Sequence, residues 1–133
     1  MAVQLSVAVR NARLDAIETT ISTSAIMRIR SGTVPATCAT ADAGTVLATL
    51  NLPSDWMAAA SAGAKALSGT WQDASADATG TAAHFRVYDS GGSTCHIQGT
   101  VGTSATDMIV DSVSFTAGQQ FTVSSFTLTD GNA

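Results

Sequence analysis

Two histidines, His84 and His96, and two cysteines, Cys38 and Cys95, are all that this 133-residue chain offers for imidazole or thiol chemistry. Zinc takes three or four protein ligands. The strand pattern described below places both histidines on the outer face of one hairpin. Cys95 points to the opposite face and Asp89 lies beyond the turn, so no metal site is expected. The neighbours Cys95 and His96 diverge across the sheet, which is wrong for a nucleophile and its base, and no G-x-S-x-G turn presents a serine. Paired carboxylates serve glycoside hydrolysis when held about 5 to 9 Å apart in a cleft. The candidates, Asp73 with Asp77 and Asp107 with Asp111, stand among Ala, Ser and Thr and read as solvated turn residues. Aromatic residues make up only 5% of the chain, leaving little to stack on a sugar. EF-hand spacing, the dinucleotide glycine fingerprint and a Walker A loop are all absent from the row. The expectation is a chain without catalytic residues, metal or cofactor.

The elements that would position these groups are mostly strands. Over residues 80–101, Ala83, Phe85 and Val87 alternate with His84, Arg86 and Tyr88, and Cys95, Ile97 and Val101 resume the inward set after a Gly-rich turn. Two period-2 runs around such a turn predict a hairpin. Pairing Tyr88 with Thr94 leaves the odd loop 89–93 and keeps Phe85 and Val87 on the face of Cys95 and Ile97. An even loop would oppose apolar to polar residues. That register sets Arg86 against His96 and His84 against Gln98.

At the start of the chain, Leu5, Val7 and Val9 alternate like a strand. Val7, Leu14, Ile17 and Ile21 nevertheless follow one helical face, with Asp15 and Glu18 directed elsewhere, and one helix is predicted over about 5–22. Strands are predicted over 25–30 and over 46–52, the latter closed by Pro53. Trp56 and Met57, in a segment that can hold a short helical turn, plug the end of the core. Residues 65–71 alternate with Leu67 and Trp71 on one face. Phe121 and Val123 have odd parity while Phe126 and Leu128 have even parity, so either both faces are covered there or, the preferred expectation, a β-bulge near Ser124 and Ser125 rotates the strand. Shorter strands fall at 108–110 and 113–115. The pattern implies one domain, 1–133, with its β part over about 25–130. Its class is mostly β: an antiparallel sandwich or jelly roll of about seven or eight strands with one N-terminal helix.

Charged residues are 12% of the chain, where an average soluble domain has about a quarter. The surface must therefore be Ser, Thr, Ala and Gly, side chains with few rotamers to lose on ordering. Such a surface repels its copies weakly, which suits close packing against partners. The six basic residues, Arg10, Arg13, Arg28, Arg30, Lys65 and Arg86, form no stripe, so nucleic-acid binding is not expected. No apolar run nears the roughly 20 residues that span a bilayer, and the opening Met1-Ala2-Val3-Gln4 lacks the basic start of a secretory signal. Cys38 and Cys95 are too few and too far apart in the chain to form a disulfide framework. Cys95 is expected to be buried and reduced.

The run Asp73-Ala74-Ser75-Ala76-Asp77-Ala78-Thr79-Gly80, continuing through His84-Phe85-Arg86-Val87-Tyr88-Asp89-Ser90-Gly91-Gly92, resembles a family of small proteins from the structural gene clusters of tailed bacteriophages and prophages. Residues 5–17, 52–56 and 126–129 resemble the same family, so the likeness covers nearly the whole chain. It implies a virion structural protein, assembled in the bacterial host cytoplasm, with no catalytic residues to carry over. A small domain with an easily packed surface suits a capsid cement or decoration protein that clamps neighbouring capsomers. Its partners would be the major capsid protein and copies of itself. A tail, collar or neck component is the competing role, and a ligand- or carbohydrate-binding β-sandwich the strongest outsider. On the assembly reading, Trp56, Trp71 and Tyr88 are the candidate interface anchors, with Arg86, His84 and His96 beside them. The helix is expected to lie on its own sheet.

Overall fold

A computed structural model describes residues 2–131; Met1, Asn132 and Ala133, at the ends of the expected domain, lie outside the described residues. The chain is mostly β with one helix. In order, the elements are α1 (Val7–Ile21), β1 (Ile26–Arg30), β2 (Val46–Asn51), β3 (Ala64–Ala66), β4 (Trp71–Asp73), β5 (Gly80–Thr81), β6 (His84–Tyr88), β7 (Cys95–Gly102), β8 (Met108–Ile109), β9 (Ser114–Phe115), β10 (Phe121–Val123) and β11 (Thr127–Thr129). One curled sheet has the order β2-β1-β6-β7-β8; the other strands pair as β4 with β10, β3 with β11 and β5 with β9.

There are more strands than expected because long runs break. Ala66 pairs with Thr127, but Trp71 pairs with Val123, a register offset of one residue. The parity change seen in Phe121, Val123, Phe126 and Leu128 is therefore real, yet the surplus residue lies opposite the expected bulge. Residues 67–70 face the shorter 124–126, and Gly69 turns there with φ 71°. Both strands are interrupted at that point rather than one being bulged.

The hairpin differs in a related way. Tyr88 pairs with Cys95, so the loop 89–94 is even, and the register then shifts so that Val87 pairs with Ile97 and Arg86 with Gln98. A bulge at His96 restores the parity that an even loop would have destroyed. The inward set Phe85, Val87, Ile97 and Val101 survives; Cys95 alone changes face. Gly99, opposite Phe85, is required by close approach. A Cβ there would lie 2.8 Å from Phe85 Cε1 and 2.9 Å from Asp107 Cβ. The sheet is also not wholly antiparallel, because β8 runs parallel to β7, Val101 beside Met108. Long crossovers are needed between full parallel strands. A two-residue strand escapes that need: Asp107 Oδ2 accepts from Thr100 N (2.8 Å) and Thr100 Oγ1 (2.9 Å) and draws the short loop back on itself.

The core lies between the five-stranded sheet and the strand pairs. Met27, Ile29, Leu47, Leu50, Phe85 and Val87 face Trp56, Trp71, Phe115, Phe121 and Phe126 in one cluster. Ring contacts run from Trp56 to Trp71 (6.0 Å), Trp71 to Phe126 (5.4 Å) and Phe126 edge-on to Phe85 (5.6 Å), linking β4 to β6 of the curled sheet. Trp56 and Met57 do plug the core, though in extended chain rather than a helical turn, with Met57 bridged to Leu67.

Candidate functional site

Polar side chains gather at two places, each around a buried cation. The first lies where open solvent was expected, on the outer face of β1, β6 and β7. The loop between β1 and β2 folds over that face, so all five residues of β6 are buried. Arg86, 1% exposed, holds the loop down. Its Nη2 donates to the carbonyls of Thr37 (3.0 Å), Cys38 (3.1 Å) and Thr40 (3.0 Å), Nε donates to Gln98 Oε1 (3.1 Å), and Nη1 pairs with Asp42. Asp42 also accepts from Arg30 Nη2 (2.8 Å) and from the Tyr88 hydroxyl (2.7 Å). Gln98 Nε2 donates to Pro35 O (2.6 Å), fixing the start of the loop.

Burial works against the Asp42 charge, but hydrogen bonds from Tyr88 and Arg86 and the charges of Arg30 and Arg86 hold its carboxyl below the usual range. Burial, with the bond to Asp42, raises the Tyr88 phenol. His84 Nδ1 lies 2.9 Å from Gly32 O, which requires the Nδ1–H tautomer. Burial keeps this imidazole neutral by lowering its pKa, against the pull of that carbonyl and with help from Arg30 and Arg86. At the edge of the cluster Cys95 Sγ lies 2.9 Å from Cys38 Sγ. Burial pushes the Cys95 thiol up to about 12, and the Cys38 sulfur pushes the same way.

The second cluster docks α1. Ser6 caps the helix by accepting from Val9 N (3.2 Å). Its inward face is polar along 11, 15 and 18, a stripe at helical spacing. Asn11 Oδ1 accepts from Gly63 N (2.9 Å), Asp15 Oδ1 from Ala60 N (2.9 Å) and Glu18 Oε1 from Met57 N (3.2 Å). Leu14 and Ile21 are buried and Ile17 packs on the core, as expected of the apolar face, while Asp15 and Glu18 form the polar flank that meets residues 57–65. Val7, expected inward, is 47% exposed. The segment 57–63 has too little ladder of its own, and the helix satisfies its amides instead. Lys65, 2% exposed, binds Asp15 (2.8 Å), Glu18 (2.9 Å) and the Ala58 carbonyl (2.9 Å). The Lys65 bond and then the Ala60 amide lower the Asp15 carboxyl. Burial opposes the Lys65 charge, but Asp15 and Glu18 outweigh it and raise the ammonium. Beside this cluster opens a depression of about 470 Å³, lined by Asp15, Glu18, Ser22, Asp55, Met57 and Lys65. Arg10 and Arg13 then fasten α1 to Asp130.

The candidate anchors therefore work inside the fold. Trp56, Trp71 and His84 have no exposed surface and Tyr88 and Arg86 have 1%, so none can touch a partner without the protomer opening. The indoles have internal acceptors, Trp56 donating to Ser22 O and Trp71 to Trp56 O, both at 3.0 Å. His96 alone is exposed, in a depression with Arg13, Ala16, Ile17 and Thr20 of α1, and away from His84. Of the carboxylate pairs, Asp73 and Asp77 are both engaged on β2, Asp73 Oδ2 accepting from Thr49 N and Asp77 Oδ2 from Thr49 Oγ1, whereas Asp107, bound to Thr100, lines one open depression with Asp111, Val110 and Phe126. Among the described residues no three His, Cys, Asp or Glu side chains are placed to hold a metal ion, and no helix is long and apolar enough to cross a membrane.

Asp42 and Asn11 were missed from sequence. Asp42 carries a signal: it is the only acidic residue between Glu18 and Asp55, in a loop following two strand arginines. Asn11 carries none beyond its spacing from Asp15 and Glu18. No family model, curated protein or solved structure matches the chain.

Proposed function

We propose that this chain is a non-enzymatic virion structural protein, a capsid cement or decoration protein that binds across capsomers of the major capsid protein. The observation that carries the reading is the division of its side chains. All six basic residues are engaged within the protomer: Arg10 and Arg13 with Asp130, Arg28 with Gly92 O and the Tyr88 ring, Arg30 and Arg86 with Asp42, Lys65 with Asp15 and Glu18. That leaves little cationic surface for a phosphate backbone. Among the described residues, three of the four exposed large apolar side chains, Val3, Val7 and Val9, stand instead at the start of the chain and of α1. Val9 continues along the helix into Ala12, Ala16 and Thr20, an exposed stripe of small residues that permits close approach of a neighbour.

All seven aromatic side chains are buried, which counts against the carbohydrate-binding reading, since that needs rings on the surface. We read the curled sheet and the strand pairs packed on it as an irregular β-sandwich, a rigid block suited to many-copy binding. Weak contacts of this kind add across a lattice through effective concentration.

The test is localisation. Intact particles from the native source are fractionated and imaged at side-chain resolution, with the double variant Val9→Glu, Ala12→Glu as comparison. The chain is expected at capsomer junctions in many copies, and the variant, folded as before, is expected to be lost from the shell. Complete absence from intact particles would overturn the proposal. A chain confined to the portal or tail axis would replace cementing with the tail or neck role.

A further inference from the structure

We propose that Cys38 and Cys95 form a covalent modification site, an intramolecular cystine that locks the loop between β1 and β2 onto β7. Their sulfurs lie 2.9 Å apart although 57 positions separate them in the chain. That is closer than unbonded sulfurs normally rest. A metal ion bridging the two thiolates would need the sulfurs further apart, and no third ligand stands beside them among the described residues.

The approach is imposed from both sides by backbone that cannot easily move. Arg86 binds the carbonyl of Cys38 itself and those of Thr37 and Thr40, while Gln98 holds Pro35. Cys95 is held in the ladder opposite Tyr88. The bulge at His96 is what turns Cys95 to the loop side; in an unbulged ladder it would face the core. Both thiols are half-buried, within reach of a small oxidant, and no other cysteine competes for either.

The oxidant is a low-molecular-weight disulfide of the glutathione class. One cysteine thiolate attacks its S–S bond, forming a mixed disulfide and expelling one thiolate, which takes up a proton. The second cysteine thiolate attacks the protein sulfur of that mixed disulfide, forming the Cys38–Cys95 bond and expelling the second small thiol. Two cysteines are oxidised by two electrons, and one small disulfide is reduced to two thiols.

The folded protein is equilibrated with oxidised glutathione, quenched with iodoacetamide in denaturant and digested with trypsin without reduction. Cleavage after Arg30, Lys65 and Arg86 yields peptides 31–65 and 87–133, and these are expected joined, with the intact mass about 2 Da below that of the reduced chain. The oxidised protein should melt about 10 °C higher than the reduced one, because the closed loop is long. Cys95→Ser should show no such rise and should carry a glutathione adduct on Cys38 instead. Two fully alkylated cysteines after oxidation of the native fold would overturn the proposal, as would linkage found only between separate chains.

Discussion

Arg86 and Lys65 are both cations with almost no exposed surface, yet they are held by opposite arrangements. Around Arg86, two guanidiniums share the single carboxylate of Asp42, and backbone carbonyls fill the remaining donors. Around Lys65, one ammonium is shared by two carboxylates that also accept backbone amides. The planar guanidinium fork can collect three carbonyls from one turn, which a point-like ammonium cannot. The arginine therefore shapes an irregular loop, while the lysine neutralises the polar face of a regular helix. The groups left behind differ too. Side-chain exposure is 45% at Asp15, 20% at Glu18 and 37% at Asp42, so the carboxylates of both clusters reach water. Only the loop cluster also has Gln98 and three backbone carbonyls that depend on its cation.

That contrast sets the expected size of each perturbation. Arg86→Met should be the most damaging, costing about 3–5 kcal/mol in urea unfolding, because Gln98 Oε1 and three carbonyls lose their donor together and Asp42 keeps only Arg30 and Tyr88. Arg86→Lys should recover only a minor part. A loss below about 1 kcal/mol would show that the loop does not depend on this fork. Lys65→Met should cost less, about 1–2 kcal/mol, since its carboxylate partners keep their amide donors and reach water. Equal losses from Arg86→Met and Lys65→Met would erase the distinction between the regions.

Acid separates them further. The Asp42 and Asp15 carboxyls titrate below the ordinary aspartate value of 3.8 in the folded chain, so their stabilisation is complete above that pH and is lost as pH falls through the depressed values. His84 acts earlier. Its folded pKa lies below 6.5, so its contribution is present above 6.5 and declines below it. Protection of the loop amides, measured against their intrinsic exchange rates at each pH, should therefore weaken as pH falls below 6.5 while that of α1 is unchanged, and His84→Gln should flatten that limb. Lys65, raised above 10.5, keeps its contribution below 10.5 and loses it only in stronger alkali. The smallest effect is at the end of α1, where Ser22 has φ 76°. Ser22→Gly should relieve that conformation and stabilise by up to about 1 kcal/mol, measured as a rise in melting temperature.

Local periodicity made the mostly-β class, the helix, β1, β2 and the inward set of the hairpin legible, since each rests on short-range alternation. The failures share a cause. Loop 89–94 and the bulge at His96 compensate one another, and parity cannot distinguish that pair from the simpler odd loop. The offset at 67–70 belongs to the partner of the strand in which its effect was read. Above all, the outer face of β6 reads as solvent-facing because His84, Arg86 and Tyr88 are polar or amphipathic, and nothing local says that a loop some 45 residues away will cover it. The partners of Asp15 and Glu18 are equally illegible locally, since the amides of Met57 and Ala60 and the Lys65 ammonium lie 39 to 50 positions away.

Both regions are thus internal scaffolding, and the proposed assembly role assigns contact with other molecules to the outward stripe of α1. Hydroxyl-radical footprinting of the free protein and of the protein on intact particles tests this directly, reading side-chain oxidation at each position. The expected result is protection of Val7 and Val9 on assembly, with Pro35, Cys38 and Tyr88 in the loop region unchanged. Protection gained at the loop while Val7 and Val9 stay as reactive as in the free chain would contradict it.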